Sequence, residues 1–148
     1  LLGVVLANLM FGLPAVTVST HSRSGVGIWL AEIIATAGLL LIIFGAARAG
    51  RTDRIAYAVG AYITAAYWFT SSTSFANPAV TIARMFSDSF AGIAPGSVPA
   101  FLLAQAIGAA ACYGLIRIFY PKSTPLPTAE DRHDHQPDHR ATAPDHRL

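Results

Sequence analysis

Charge is what this chain has least of. Charged residues make up 12% of its 148 residues, about half the share of an ordinary soluble domain. The shortage is concentrated: no charged side chain falls between Ile55 and Ala83, and none between Ser89 and Ile116. Cysteine occurs once, at Cys112, so an internal disulfide is excluded. The thiol stands in a run of Ala and Gly and reads as a small packing group. No nucleophile–base pair, metal-ligand set or phosphate-binding loop falls within the apolar runs, so no catalytic residue, metal or cofactor is expected. His21 lies in a loop without a carboxylate partner. The net charge of +2 comes without interleaved aromatic and basic residues, so no nucleic-acid partner is expected. No basic stretch followed by a small-residue cleavage site precedes the first apolar run. Leu1 already lies inside that run, and the simplest expectation is a fragment or truncated product that starts within a span.

What is present is hydrophobic surface. Apolar residues account for 53% of the chain, and long uncharged apolar runs take a bilayer as their solvent. Residues 1–13 are apolar but too short to cross about 30 Å of hydrocarbon, and read as the end of a span. A Ser-, Thr- and Gly-containing loop follows. Full spans are expected at 28–47, at 55 to about 71, and at 97–120. The segment 48–54 is a basic turn. Beyond Pro121 the chain turns polar and Pro-rich, so 1–121 is read as the membrane domain and 122–148 as a disordered tail. His133, His135, His139 and His146 in that tail have no spacing that closes a zinc site.

Orientation follows from the cations. Arg48, Arg51 and Arg54 share one connection, and Arg117 and Lys122 flank the end of the last span. Positive-inside counting places both in the cytoplasm. The third span then runs outward and the last one inward. Whatever lies between them must leave and return on the outer side.

That intervening stretch carries the functional reading. Asn77-Pro78-Ala79-Val80-Thr81 has a strong N-cap residue followed by proline at the first helical position. A helix from Pro78 to about Phe90 would be about 20 Å long, enough to reach the bilayer midplane but not to cross it. Such a broken element is tolerated at depth only inside protein or beside a water-filled cavity. Its unpaired N–H groups and the Asn77 amide would then face passing solute, and a positive helix end opposes protons and cations.

In this setting Asn77-Pro78-Ala79 resembles the second asparagine-proline-alanine box of the major intrinsic proteins, the aquaporins and aquaglyceroporins. Ala31-Glu32 with Thr36 resembles that family's Ala-Glu-plus-Thr signature at the start of its fourth span. The resemblance covers residues 1–121, the second half of a family member together with the end of the preceding span. It implies an all-α membrane protein with an aquaporin-like helical bundle, here the end of one span, three full spans and one re-entrant half-helix. It also implies a homotetramer in the plasma membrane, in contact with lipid, passing small neutral solutes passively and performing no catalysis. The competing reading is a non-conducting, truncated or structural membrane protein of the same fold.

The resemblance also supplies the expected pore-lining residues: Asn77, Pro78, Ala79, Val80, Ala65 and Arg84. Many members carry Arg where this chain has Val80, and water-selective members carry His where spacing from the box puts Ala65. Both departures imply a wide, neutral constriction, suited to water, glycerol-like polyols or undissociated metalloid acids. Arg84, one turn beyond Val80, either restores a cation at the vestibule, or snorkels to headgroups or pairs with Asp88 four residues on. Glu32 is expected to accept hydrogen bonds from the re-entrant backbone, in preference to a proton-relay role. Pro14-Ala15-Val16-Thr17 echoes the box without its Asn and reads as outer loop. Ala104, Gly108 and Cys112, four residues apart, read as a helix-packing seam. Tyr57, Tyr62, Tyr67 and Trp68 read as interface anchors.

Overall fold

The computed structural model describes residues 1–120. The expected tail at 122–148, with its boundary and its histidines, lies outside them. Among the described residues the chain is helical with no strand. Its helices are α1 (Leu2–Met10), α2 (Val26–Arg48), α3 (Ile55–Phe69), α4 (Pro78–Ala83) and α5 (Val98–Phe119). Short 3₁₀ turns precede α3 (Thr52–Arg54), follow α4 (Arg84–Phe86) and lead into α5 (Pro95–Ser97).

Two of these helices are long and apolar enough to cross a membrane: α2, and α5 with its leading turn. Only 28% of the most apolar window of each is buried. A helix apolar on all sides is stable in water only if the protein covers it, and here most of that surface is open. Trp68, Phe119 and Ile118 add to it, at 82%, 64% and 72% exposed. The third span is shorter than its sequence suggests, with 15 residues in α3. The reason is local. Thr70 turns to an extended conformation, and both its N–H and its hydroxyl return to the Ala66 carbonyl, ending the helix.

Helices α2 and α5 lie side by side and run the same way. At one end, the Arg23 N–H donates to Ser97 Oγ and the Ala94 N–H to the His21 carbonyl. At the other, the Arg48 guanidinium stands 5.3 Å from the Tyr120 ring centroid and Phe44 meets Tyr120 edge-on. Their contact uses the small-residue seam: Ala104, Gly108 and Cys112 of α5 are buried, as are Ala35 and Thr36 of α2. Gly108 is needed there, because a Cβ would stand 2.6 Å from the Ile33 carbonyl oxygen and 2.9 Å from Thr36 Cβ. Tyr62 is not a free anchor. Its hydroxyl donates to the Ala35 carbonyl at 3.0 Å and fastens α3 to α2. Tyr57 and Trp68, near the two ends of α3, are each 82% exposed, as interface residues would be.

The compact apolar core is small. Phe75, Ile93, Val98 and Phe101 form it, with Ile28, Val80, Met85 and Leu102 packed around. It joins the start of α5 to the segment around α4 and so anchors the re-entrant element.

Candidate functional site

The approach to α4 is strained. Thr73, Ser74 and Ala76 all have positive φ, at 59°, 46° and 48°. Each such non-glycine residue costs about 1–3 kcal/mol and persists only where its surroundings over-determine it. Here Glu32 does so. One carboxylate oxygen accepts the Phe75 N–H at 3.2 Å, and the other accepts the Ala76 N–H together with Gln105 Nε2. Glu32 is fully buried, so three donors of the protein replace its hydration. Glu32 thus accepts from the backbone of the segment that leads into α4.

Glu32 stands six residues into α2 and Gln105 seven into α5, each about 10 Å from the N-terminal end of its helix. The chain at Ala76 is therefore drawn about a third of the way along both. From there Asn77 opens α4. Its Oδ1 accepts from the Ala79 N–H at 2.8 Å and the Val80 N–H at 3.4 Å, and Pro78 takes the first helical position. The Thr81 N–H and hydroxyl both return to the Asn77 carbonyl, and Gln105 Nε2 also reaches Thr81 Oγ1 at 2.8 Å. The free N–H groups expected at this helix start are thus already taken. The donor left facing outward is the Asn77 amide, and Asn77, Pro78 and Ala79 are exposed.

The half-helix is shorter than the 13 residues its sequence suggests. Six α-helical residues and a three-residue 3₁₀ turn give about 15 Å. Ser87 then extends, because three neighbours draw the following residues away. Ser87 Oγ donates to Asn8 Oδ1 at 2.7 Å, the Asp88 N–H donates to Thr17 Oγ1, and Asp88 Oδ1 accepts from Thr20 N–H and Oγ1. Asp88 is consequently not the partner of Arg84. The 14–19 stretch is loop, as expected, and lies along this exit, with the Thr17 and Ser19 N–H groups donating to the Phe86 and Met85 carbonyls. Arg84 is half-buried, its guanidinium 4.3 Å from the Phe75 centroid. Ala65 is exposed on α3, and Val80 packs its side chain on the apolar core.

Comparison with known proteins agrees with this geometry. The family model described as Major intrinsic protein matches residues 21–143. The chain belongs to the major intrinsic protein family. Its sequence is 45% identical over 124 residues to the aquaglyceroporin AqpS of Rhizobium meliloti (strain 1021), covering 84% of this chain and 53% of that protein. The chain thus spans about half the length of that relative. No solved structure matches it.

Three further residues hold the re-entrant segment in place and have no part in the Asn-Pro-Ala pattern. Asn8, 1% exposed in α1, donates to the Ala15 and Phe86 carbonyls. Gln105 ties α5 to Glu32 and Thr81, and Arg23 is enclosed by carbonyls of the α3–α4 and α4–α5 connections. A signal for each existed. Asn8 and Gln105 are lone amides in apolar helices, and Arg23 is the only Arg or Lys before Arg48.

Proposed function

We propose that the protein is a passive membrane channel for small uncharged solutes, with Asn77, Pro78, Ala79, Val80, Ala65 and Arg84 on its pore wall. The observation that carries this reading is the Asn77 amide. It is exposed at the start of a short helix about 10 Å inside the outer ends of α2 and α5, and its oxygen is already used as a cap. Its Nδ2 can donate to a hydroxyl or water oxygen, so a neutral solute sheds hydration and finds a replacement donor. A cation finds no counter-charge there and keeps its desolvation cost.

Val80 and Ala65 supply neither charge nor hydrogen bond to a constriction. This favours polyols the size of glycerol, and undissociated metalloid acids of similar shape, alongside water. The relative's name, aquaglyceroporin, points the same way. In this reading the protein is a homotetramer in the plasma membrane, with one pore per subunit and its C-terminus in the cytoplasm. The half-length match favours one alternative for the chain standing alone, a non-conducting membrane protein of the same fold.

One assay separates the two. Liposomes containing the protein as expressed from its own gene should swell faster than empty ones in a glycerol gradient, with no current under applied voltage. Swelling no faster than in empty liposomes would overturn the channel reading.

A further inference from the structure

We propose that Arg23, from the loop between α1 and α2, governs the outer mouth of the pore: it ties together the two limbs of the re-entrant segment and, with Arg84, supplies the fixed positive charge that Val80 does not. The inference rests on the channel reading and adds to it a residue that sets charge selectivity.

The guanidinium of Arg23 is enclosed by carbonyls from both sides of α4. Nη1 donates to the Ser72 carbonyl at 3.2 Å on the limb that leads in. Nε donates to Gly92 and Nη2 to Phe90, both at 2.7 Å, on the limb that leads out. Only a planar fork with donors on three nitrogens spans such a set; a lysine carries the charge without the geometry. Arg23 is 4% exposed, and its guanidinium stands 5.0 Å from the Phe75 centroid, the ring that Arg84 approaches to 4.3 Å.

Among the described residues no carboxylate pairs with either of these cations. Among the described residues the only ion pair is Arg54–Asp53, in the connection between α2 and α3. The Glu32 carboxylate is committed to Phe75, Ala76 and Gln105, and Asp88 Oδ1 accepts from the Thr20 N–H and hydroxyl. Burial lowers the Arg23 pKa, and the charge of Arg84 lowers it further, yet a guanidinium stays protonated at any physiological pH. A neutral amide would incur a smaller desolvation cost, but its donors sit on one nitrogen and do not span the three carbonyls. Two neighbouring cations against the one carboxylate of Glu32, whose charge acts on both, leave net positive charge beside the route to Asn77, which turns back small cations and leaves neutral solutes unaffected.

The test uses the protein expressed from its own gene, in liposomes, with its native cysteines, Cys112 included, replaced by alanine and with Ala79→Cys. Its new thiol is reached from outside only past the mouth. The reading is the rate of modification by a cationic trimethylammonium methanethiosulfonate, divided by that for neutral methyl methanethiosulfonate. Arg23→Gln should raise this ratio about tenfold, the effect of removing one unit charge about 10 Å away in a medium of intermediate dielectric. Arg23→Lys should leave the ratio unchanged while lowering the thermal midpoint in detergent, because it keeps the charge and loses the fork. A ratio within twofold of the parent in Arg23→Gln overturns the proposal. Should Arg23→Gln fail to assemble, a salt titration of the Arg84→Gln protein decides, since Arg23 is then the remaining cation at the ring. A cationic rate that climbs several-fold from low to about 1 M salt, with the neutral rate constant, supports the proposal, and a flat response overturns it. Glycerol swelling of the unmodified protein is measured beside it, so a failed channel and a wrongly assigned Arg23 give different results.

Discussion

Glu32 holds three donors at once, and Phe75 and Ala76 both give their N–H groups to it. Glu32→Ala would leave two backbone N–H groups and the Gln105 amide without it, at about 1–3 kcal/mol for each buried donor left unpaired. The positive φ values at Ser74 and Ala76 would lose their restraint at the same time. We expect a fall of several degrees in thermal midpoint and faster hydrogen exchange at Phe75 and Ala76; exchange unchanged at both would show that something else fixes the loop. Asn77→Asp makes the complementary separation. Aspartate caps a helix as well as asparagine does, so stability should stay within about 1 kcal/mol, but the outward donor is gone and a negative charge stands in its place. Glycerol flux should drop at least about tenfold, and a flux equal to the parent's would remove Asn77 from the mechanism. Both residues were legible in the sequence, Glu32 as a carboxylate in an apolar run and Asn77 as a cap before proline. Arg23 was not legible in its role. Its carbonyl partners at Ser72, Phe90 and Gly92 are about 50 to 70 positions away, and carbonyls belong to every residue, so no sequence pattern marks them.

At the scale of elements, hydropathy and punctuation placed α2, α3 and α5 to within a few residues, because apolar length and Gly or Pro at the ends are local properties. The half-helix was overestimated because its end is not local. Nothing between Ala83 and Phe90 forbids helix, and the chain leaves it only because Asn8, Thr17 and Thr20 offer Ser87 and Asp88 other partners. The same contacts took Asp88 from Arg84. The packing of α2 on α5 is the element-level feature with the sharpest consequence. Gly108→Ala forces the Ile33 carbonyl and Thr36 to give way, and overpacking of this kind costs about 1–3 kcal/mol. Gly114 lies on the same helix, and a Cβ there would meet nothing within 4 Å. Gly114→Ala should therefore be neutral or stabilising by up to about 1 kcal/mol through helix propensity. Equal midpoints for the two alanine variants in detergent would mean that α2 and α5 do not meet at Gly108.

The described residues have two chemically different ends, and we expect this difference to set which way the chain sits. Arg48 rests on Tyr120, so the 48–54 turn and the end of α5 lie together, and Arg51, Arg54 and Arg117 are near the same end. The opposite end carries Arg23 and Arg84, but both are engaged with the re-entrant segment and withdrawn from headgroups. Among the described residues, cations that are free to meet a surface therefore belong to one end, and free cations are what positive-inside retention acts on. Single cysteines introduced in a Cys112→Ala protein at His21 and at Thr52, both exposed positions, should report opposite sides. A membrane-impermeant maleimide should label His21→Cys in intact cells and Thr52→Cys only after permeabilisation. Replacing Arg48, Arg51 and Arg54 together by glutamine should blur that distinction, giving partial labelling at both sites, because Arg117 is then the cation left near that end among the described residues. Labelling of both single cysteines in intact cells would require α2 to return without crossing, and the shared depth of Glu32 and Gln105 could then no longer be a depth within the bilayer.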